Sequence, residues 1–153
     1  MKKIVIVFIS LFLFNQLSGQ DVLLRDGRYF GTNGKLYTGV FKEFDAMGSV
    51  IAENTINQGF LDGISLLYYS SGAKKEQRSY LKGKKDGLWI NWNEKGVKTA
   101  EARFTDGKKD GFWYIWDEKG TKRYEMFYLK GEKKGTWLIW DETGKLITEQ
   151  KYD

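Results

Sequence analysis

The sequence predicts an all-β fold: an elongated, twisted antiparallel meander of about five 24-residue β-hairpin repeats with an N-terminal capping hairpin. Three observations predict it. Glycine recurs in three registers that never slip: Gly39, Gly63, Gly87, Gly111 and Gly135; Gly48, Gly72, Gly96, Gly120 and Gly144; and Gly59, Gly83, Gly107 and Gly131. Aromatic residues keep the same period, as Trp89, Trp113 and Trp137, as Phe44, Tyr68, Trp92, Trp116 and Trp140, and as Tyr80, Phe104, Tyr128 and Tyr152 behind Ile56. With 18 glycines and no proline, the tight turns must be built from Gly, Asn, Asp and Lys, the usual material of hairpins.

Residues 1–20 have the layout of a cleavable secretory signal peptide. Met1, Lys2 and Lys3 give a positive start, residues 4–14 are an apolar run broken only by Ser10, and residues 15–20 are polar with small Ser18 and Gly19. Spanning a bilayer takes roughly 20 apolar residues, about twice this run. Cleavage near Gly19 or Gln20 would place the mature chain in the periplasm, at the cell surface or outside the cell. Residues 21–33, with Val22-Leu23-Leu24, Asp26-Gly27 and Arg28-Tyr29-Phe30, look like a degenerate hairpin that caps the array. The repeat domain is then residues 34–153, in copies at 34–58, 59–82, 83–106, 107–130 and 131–153. The first copy carries one extra residue between Gly34 and Gly39.

Within a copy, Leu88-Trp89-Ile90-Asn91-Trp92 is a β-prone run and Asn93-Glu94-Lys95-Gly96 a turn. Residues 97–104 form a second run, and residues 105–111 turn back into the next copy. The turn glycines are expected at positive φ, where a side chain is penalised. A lone hairpin is marginal in water, so the copies must pair edge to edge into one sheet. Equivalent residues of successive copies then lie roughly 9.6 Å apart and the aromatics form ladders. Trp89 and Trp92 differ by an odd number of positions, which puts their two series on opposite faces.

Cysteine and histidine are absent, which removes thiol nucleophiles, imidazole bases and the commonest transition-metal ligands; no cofactor or metal is expected. The acidic series Glu53, Glu101, Glu125 and Glu149, broken by Gln77, recurs once per copy. That is the pattern of a cross-strand salt-bridge ladder, whereas a carboxylate pair in catalysis is unique. The chain is therefore expected not to be an enzyme. Without Lys2 and Lys3 it has 23 basic against 20 acidic residues, too small an excess to suggest nucleic acid.

Two ladders are candidate binding features. Trp89, Trp113 and Trp137 offer indoles able to stack on sugars or anchor a protein, or simply to cover one face of a thin sheet. Lys84, Lys85, Lys108, Lys109, Lys133 and Lys134 are expected to line the connectors as a basic row. Such a row would attract anionic head groups, or only discourage unwanted strand pairing, with Asp86 and Asp110 diluting it. Trp92, Trp116, Trp140 and the three glycine series have structural roles in this scheme.

The segments Gly83-Lys84-Lys85-Asp86-Gly87-Leu88-Trp89 and Gly107-Lys108-Lys109-Asp110-Gly111-Phe112-Trp113 resemble the MORN-repeat variant, commonly labelled in bacteria as antitoxin-like. Tyr37-Thr38-Gly39-Val40-Phe41 resembles the opening copy of exported members, and the resemblance runs over about residues 34–153. It implies a twisted sheet of hairpins serving as a scaffold or protein-binding surface, with lipid contacts proposed for some members. The expected function is a non-catalytic exported scaffold for protein–protein or envelope interactions. Alternatives are binding of envelope glycans or anionic lipid through the ladders, or an immunity protein acting in the envelope. An edge-to-edge homodimer is a further expectation.

Overall fold

The structure, a computed structural model, describes residues 22–153, and the expected signal peptide lies outside them. A first hairpin consists of β1 (Val22–Arg25) and β2 (Arg28–Gly31). The main sheet contains β3 (Gly39–Phe44), β4 (Val50–Asn57), β5 (Phe60–Tyr68), β6 (Lys74–Leu81), β7 (Lys84–Lys85) and β8 (Gly87–Trp92). It continues through β9 (Lys98–Thr105), β10 (Lys108–Lys109), β11 (Gly111–Trp116), β12 (Lys122–Leu129), β13 (Glu132–Trp140) and β14 (Leu146–Tyr152). The order is a plain antiparallel meander from β3 to β14, with β7 on β6 and β10 on β9. The all-β repeat fold is as expected.

Two turn types alternate. Gln58-Gly59, Lys82-Gly83, Asp106-Gly107 and Lys130-Gly131 have positive φ at both residues, the type I′ geometry that matches the twist of the flanking strands. At the other end Gly48, Gly72, Gly96, Gly120 and Gly144 take positive φ, in every case but Gly72 after a side-chain-supported bend. Asp117 Oδ1 accepts the Lys119 and Thr121 N–H groups at 2.9 Å each, and Asn93 Oδ1 does the same for Lys95 and Val97. This Asx support is why Asp or Asn stands at 45, 93, 117 and 141.

The connector is shorter than the sequence suggested. Only Asp106-Gly107 turn, because a two-residue type I′ turn already reverses the chain; Lys108–Lys109 belong to a strand, and a bulge follows. At the bulge Asp110 N–H donates to Arg103 O at 3.0 Å and Gly111 has φ +98°, where a Cβ would come within 3.3 Å of Arg103 Cδ. The bulge splits two strands into β7 with β8 and β10 with β11.

Backbone bonds tie each type I′ turn to the previous copy. Gly59, Gly83, Gly107 and Gly131 donate N–H to the carbonyls of Tyr37, Leu61, Lys85 and Lys109 at 2.7–2.8 Å. Beside them the N–H groups of Gln58, Lys82, Asp106 and Lys130 reach Thr38 Oγ1 and the carboxylates of Asp62, Asp86 and Asp110. Asp86 and Asp110 are thus turn caps for the following copy.

The N-terminal hairpin docks on the first of these turns: Tyr29 N–H donates to Gly59 O and Tyr37 N–H to Tyr29 O, both at 2.9 Å. Tyr29 lies 6.0 Å from the Phe41 ring, and burial raises its hydroxyl pKa, with the Glu43 carboxylate adding to the effect. Beneath this end sits Ile56, 1% exposed.

Directly paired residues share a face, so the register carries each face across the sheet. One face runs through Glu43, Ala52, Leu67, Glu76, Asn91, Ala100, Ile115, Tyr124, Ile139 and Thr148. The other runs through Lys42, Glu53, Leu66, Gln77, Ile90, Glu101, Tyr114, Glu125, Leu138 and Glu149. The buried hydrophobic residues Ala52, Ile56, Phe104, Met126 and Tyr128 all belong to the first, the inner face. On the second, outer face Val40, Ile64 and Phe112 stay more than two-fifths exposed.

Candidate binding surface

The inner face carries one continuous aromatic ladder where the sequence suggested separate series. Tyr80, Trp89, Phe104, Trp113, Tyr128, Trp137 and Tyr152 follow one another at ring-centroid steps of 5.6, 5.0, 5.2, 5.3, 5.2 and 4.7 Å. Interplanar angles of 53–62° place ring edges against ring faces, the arrangement the quadrupole favours. Alternate strands supply alternate rings, which halves the spacing of each series. The indole N–H groups are used internally: Trp89 donates to Ser79 O, Trp113 to Arg103 O and Trp137 to Phe127 O, at 3.0–3.1 Å.

The six lysines separate into different environments. Lys85, Lys109 and Lys133 stand 24 residues apart and hold their ammonium groups 4.4, 4.2 and 4.5 Å from the Trp89, Trp113 and Trp137 centroids. Each also lies within 5.0 Å of the next ring, Phe104, Tyr128 or Tyr152. These lysines cap the ladder, and their stems cover apolar ring surface. Lys84 instead bonds Asp106 at 2.5 Å, which holds that carboxyl below its usual range, with exposed Lys108 adding to the field. Lys134 stands in register with Asp86 and Asp110, not with Lys109. The expected single basic row is therefore three in-register sets, because the strand and bulge send neighbouring lysines different ways.

The acidic series lies on the outer face, and its pairing differs from the expected cross-strand ladder. Lys98 meets Glu101 at 2.7 Å and Lys122 meets Glu125 at 2.9 Å, each across the bulge of its own strand. The same ammonium groups lie 5.4 Å from Trp116 and 5.3 Å from Trp140. Trp116 and Trp140 thus belong to the outer face, opposite Trp113 and Trp137. Only Glu53 is paired across strands, to Lys42 at 2.8 Å. That bond lowers the Glu53 pKa, and Tyr68 adds a hydroxyl donor at 3.2 Å. Among the described residues no three His, Cys, Asp or Glu side chains are grouped to hold a metal ion.

Between these charged rows runs an apolar one. Val40, Ile64, Leu88 and Phe112 occupy equivalent positions, Thr136 ends the series, and the intervening strands set Thr55, Ser79, Arg103 and Phe127 directly opposite them on the same face. Phe112 is 47% exposed, stacks on Tyr114 at 5.9 Å and meets Phe127 edge-on at 5.0 Å. This row was missed from sequence because it mixes residue types; the constant spacing was its available signal.

No family model matches the sequence, and no curated protein matches it either.

Proposed function

We propose that this chain is an exported, non-catalytic repeat scaffold of the MORN-variant kind, whose outer face docks another protein. The observation that carries this reading is the set of exposed apolar residues Val40, Ile64 and Phe112 at equivalent positions of the outer face, which also carries the Lys–Glu pairs. The buried hydrophobic residues lie on the inner face, where Ile115 and Tyr124 stay partly exposed. An apolar centre with a polar surround is the usual anatomy of a protein interface. Non-catalytic action is supported by the recurrence of the carboxylate from copy to copy, with Glu53, Glu101 and Glu125 each held by a lysine of its own. The inner indoles are weaker candidates for sugar stacking, since their N–H groups are taken and lysines sit over their rings.

A photo-crosslinking residue at position 64 or 112, introduced in the producing cell, is expected to trap the same partner from both sites. One at inner position 102 is expected to trap none. Phe112→Asp should abolish the adduct at position 64 while the far-ultraviolet spectrum stays that of the parent. Equal adducts from position 102, or none from the outer face, would sink the proposal. Fractionation of the same cells tests export.

A further inference from the structure

The repeats supply their own template for a ligand site. In two copies the outer face holds a primary ammonium between an aromatic ring and a carboxylate: Lys98 between Trp116 and Glu101, and Lys122 between Trp140 and Glu125. The equivalent positions in the first copy are Val50, Tyr68 and Glu53. Ring and carboxylate are kept there, the lysine of the same strand is replaced by Val50, and Lys42 of the neighbouring strand pairs with Glu53 Oε1 instead. What remains is an open depression of about 290 Å³ lined by Ser49, Val50, Glu53, Tyr68 and the turn Ser70-Ser71-Gly72.

A second difference opens the same place. Gly120 and Gly144 are each closed over by the residue before the lysine, with Val97 Cγ1 at 3.4 Å and Thr121 Cγ2 at 3.7 Å from where a Cβ would stand. The corresponding residue is Ser49, and nothing lies within 4 Å of that point at Gly72. Glu53 stays ionised, its pKa held down by the Lys42 hydrogen bond to Oε1, while Oε2 receives only the 3.2 Å bond from Tyr68. A carboxylate oxygen has two lone-pair directions, so Oε2 has room for another donor. Ser49, Ser70 and Ser71 add hydroxyl acceptors around the rim, suited to the three N–H donors of a primary amine.

We infer that this depression is a vacant lysine slot, and that it takes a primary ammonium on an apolar stem, presented by a lysine side chain of the docked partner. The partner's existence rests on the scaffold reading; the ammonium chemistry does not. A single ring with several hydrogen-bond acceptors should prefer a primary amine to a quaternary one, whose recognition relies on the ring quadrupole alone.

The test is an amide-resolved NMR titration of the exported protein with n-butylammonium chloride, against tetramethylammonium chloride at equal ionic strength. Saturable shifts are expected at residues 49–53 and 68–72, at least about fivefold weaker for the quaternary ion. The slots already filled by Lys98 and Lys122 should stay silent. Val50→Lys, which restores the side chain of the other copies, should abolish the response while leaving the rest of the spectrum in place, and Ser49→Val should weaken it. An undiminished response in Val50→Lys, or an equal one to tetramethylammonium, overturns the assignment. A lysine peptide that binds while its acetyl-lysine counterpart does not supports a protein side chain as the source; a free diamine binding about tenfold tighter than the peptide overturns that source. Crosslinking through position 112 that persists without any ammonium response leaves the scaffold reading standing and removes the slot.

Discussion

Trp113 sits at the junction of three interactions: edge contacts to Phe104 and Tyr128, an indole hydrogen bond to Arg103 O, and the Lys109 ammonium 4.2 Å above its ring. Trp113→Ala is expected to cost about 2–4 kcal/mol in urea unfolding, from lost burial and ring contacts. Trp113→Phe should cost less, keeping a ring while losing the N–H donor. Lys109→Met is expected to cost under about 1 kcal/mol, and in the double variant the two losses should not add, since they describe one contact. Asp110→Ala, which strips the cap from the Lys130 N–H, should cost about 1 kcal/mol. Acid should weaken the fold through Glu53, Asp106, Asp117 and Asp141, all with pKa values lowered in the folded chain. Their contribution is complete above the unfolded carboxylate range of about 4 and is lost as pH falls through the lower folded values. The melting temperature is therefore expected to be flat from pH 5 to 7 and to drop below about pH 4, and a rise on acidification would contradict these pairings. At this scale the odd spacing of Trp89 and Trp92 made their opposite faces legible in sequence. The lysines were not: Lys-Lys pairs look alike, and only the 24-residue count separates Lys133 from Lys134.

At the scale of elements, the hairpin arms, turn glycines and capping hairpin were all legible, because each depends on local chemistry repeated in register. Two features depend on packing and were hidden. The Asp-Gly bulge is invisible in Gly107-Lys108-Lys109-Asp110-Gly111, which reads as one long turn until the type I′ geometry of Asp106-Gly107 is known. The seating of the first hairpin is equally silent, since nothing in Arg28-Tyr29-Phe30 says that Tyr29 will bond across to Gly59. Two glycine substitutions separate local strain from docking. Gly107→Ala meets no atom within 4 Å and should cost only the positive-φ penalty, about 1–2 kcal/mol. Gly59→Ala would put its Cβ 2.7 Å from Leu36 Cδ2 and 3.0 Å from Tyr29 O, so it should also unseat the hairpin. Hydrogen exchange is expected to show Ile56 and its neighbours deprotected in Gly59→Ala and unchanged in Gly107→Ala.

Across the whole molecule the sheet is a sum of near-identical steps, each bonded to its neighbours and to little else. Removing residues 107–130, one full period, joins Asp106 to Gly131 and recreates the same turn. The shortened chain is expected to fold, with a melting temperature a few degrees lower, as in arrays whose stability is a sum of units and interfaces. Removing an odd number of residues from within a strand should instead turn every side chain downstream in that strand to the opposite face and leave its pairing lost. The sequence made this periodicity plain but not which side of the sheet is covered, because both faces carry aromatics and charges. Burial of Phe104, Met126 and Tyr128 and exposure of Phe112 decide it. The seam of glycine N–H bonds to the preceding copy, from Gly59 to Gly131, has a mechanical consequence. Tension applied between the two ends of a meander opens its ladders one after another like a zip, not all at once in shear. Each period released would lengthen the chain by roughly 70–75 Å, its extended length at about 3.3–3.6 Å per residue less the roughly 9.6 Å it spans when folded, so stretching one molecule should yield at low force in evenly spaced increments.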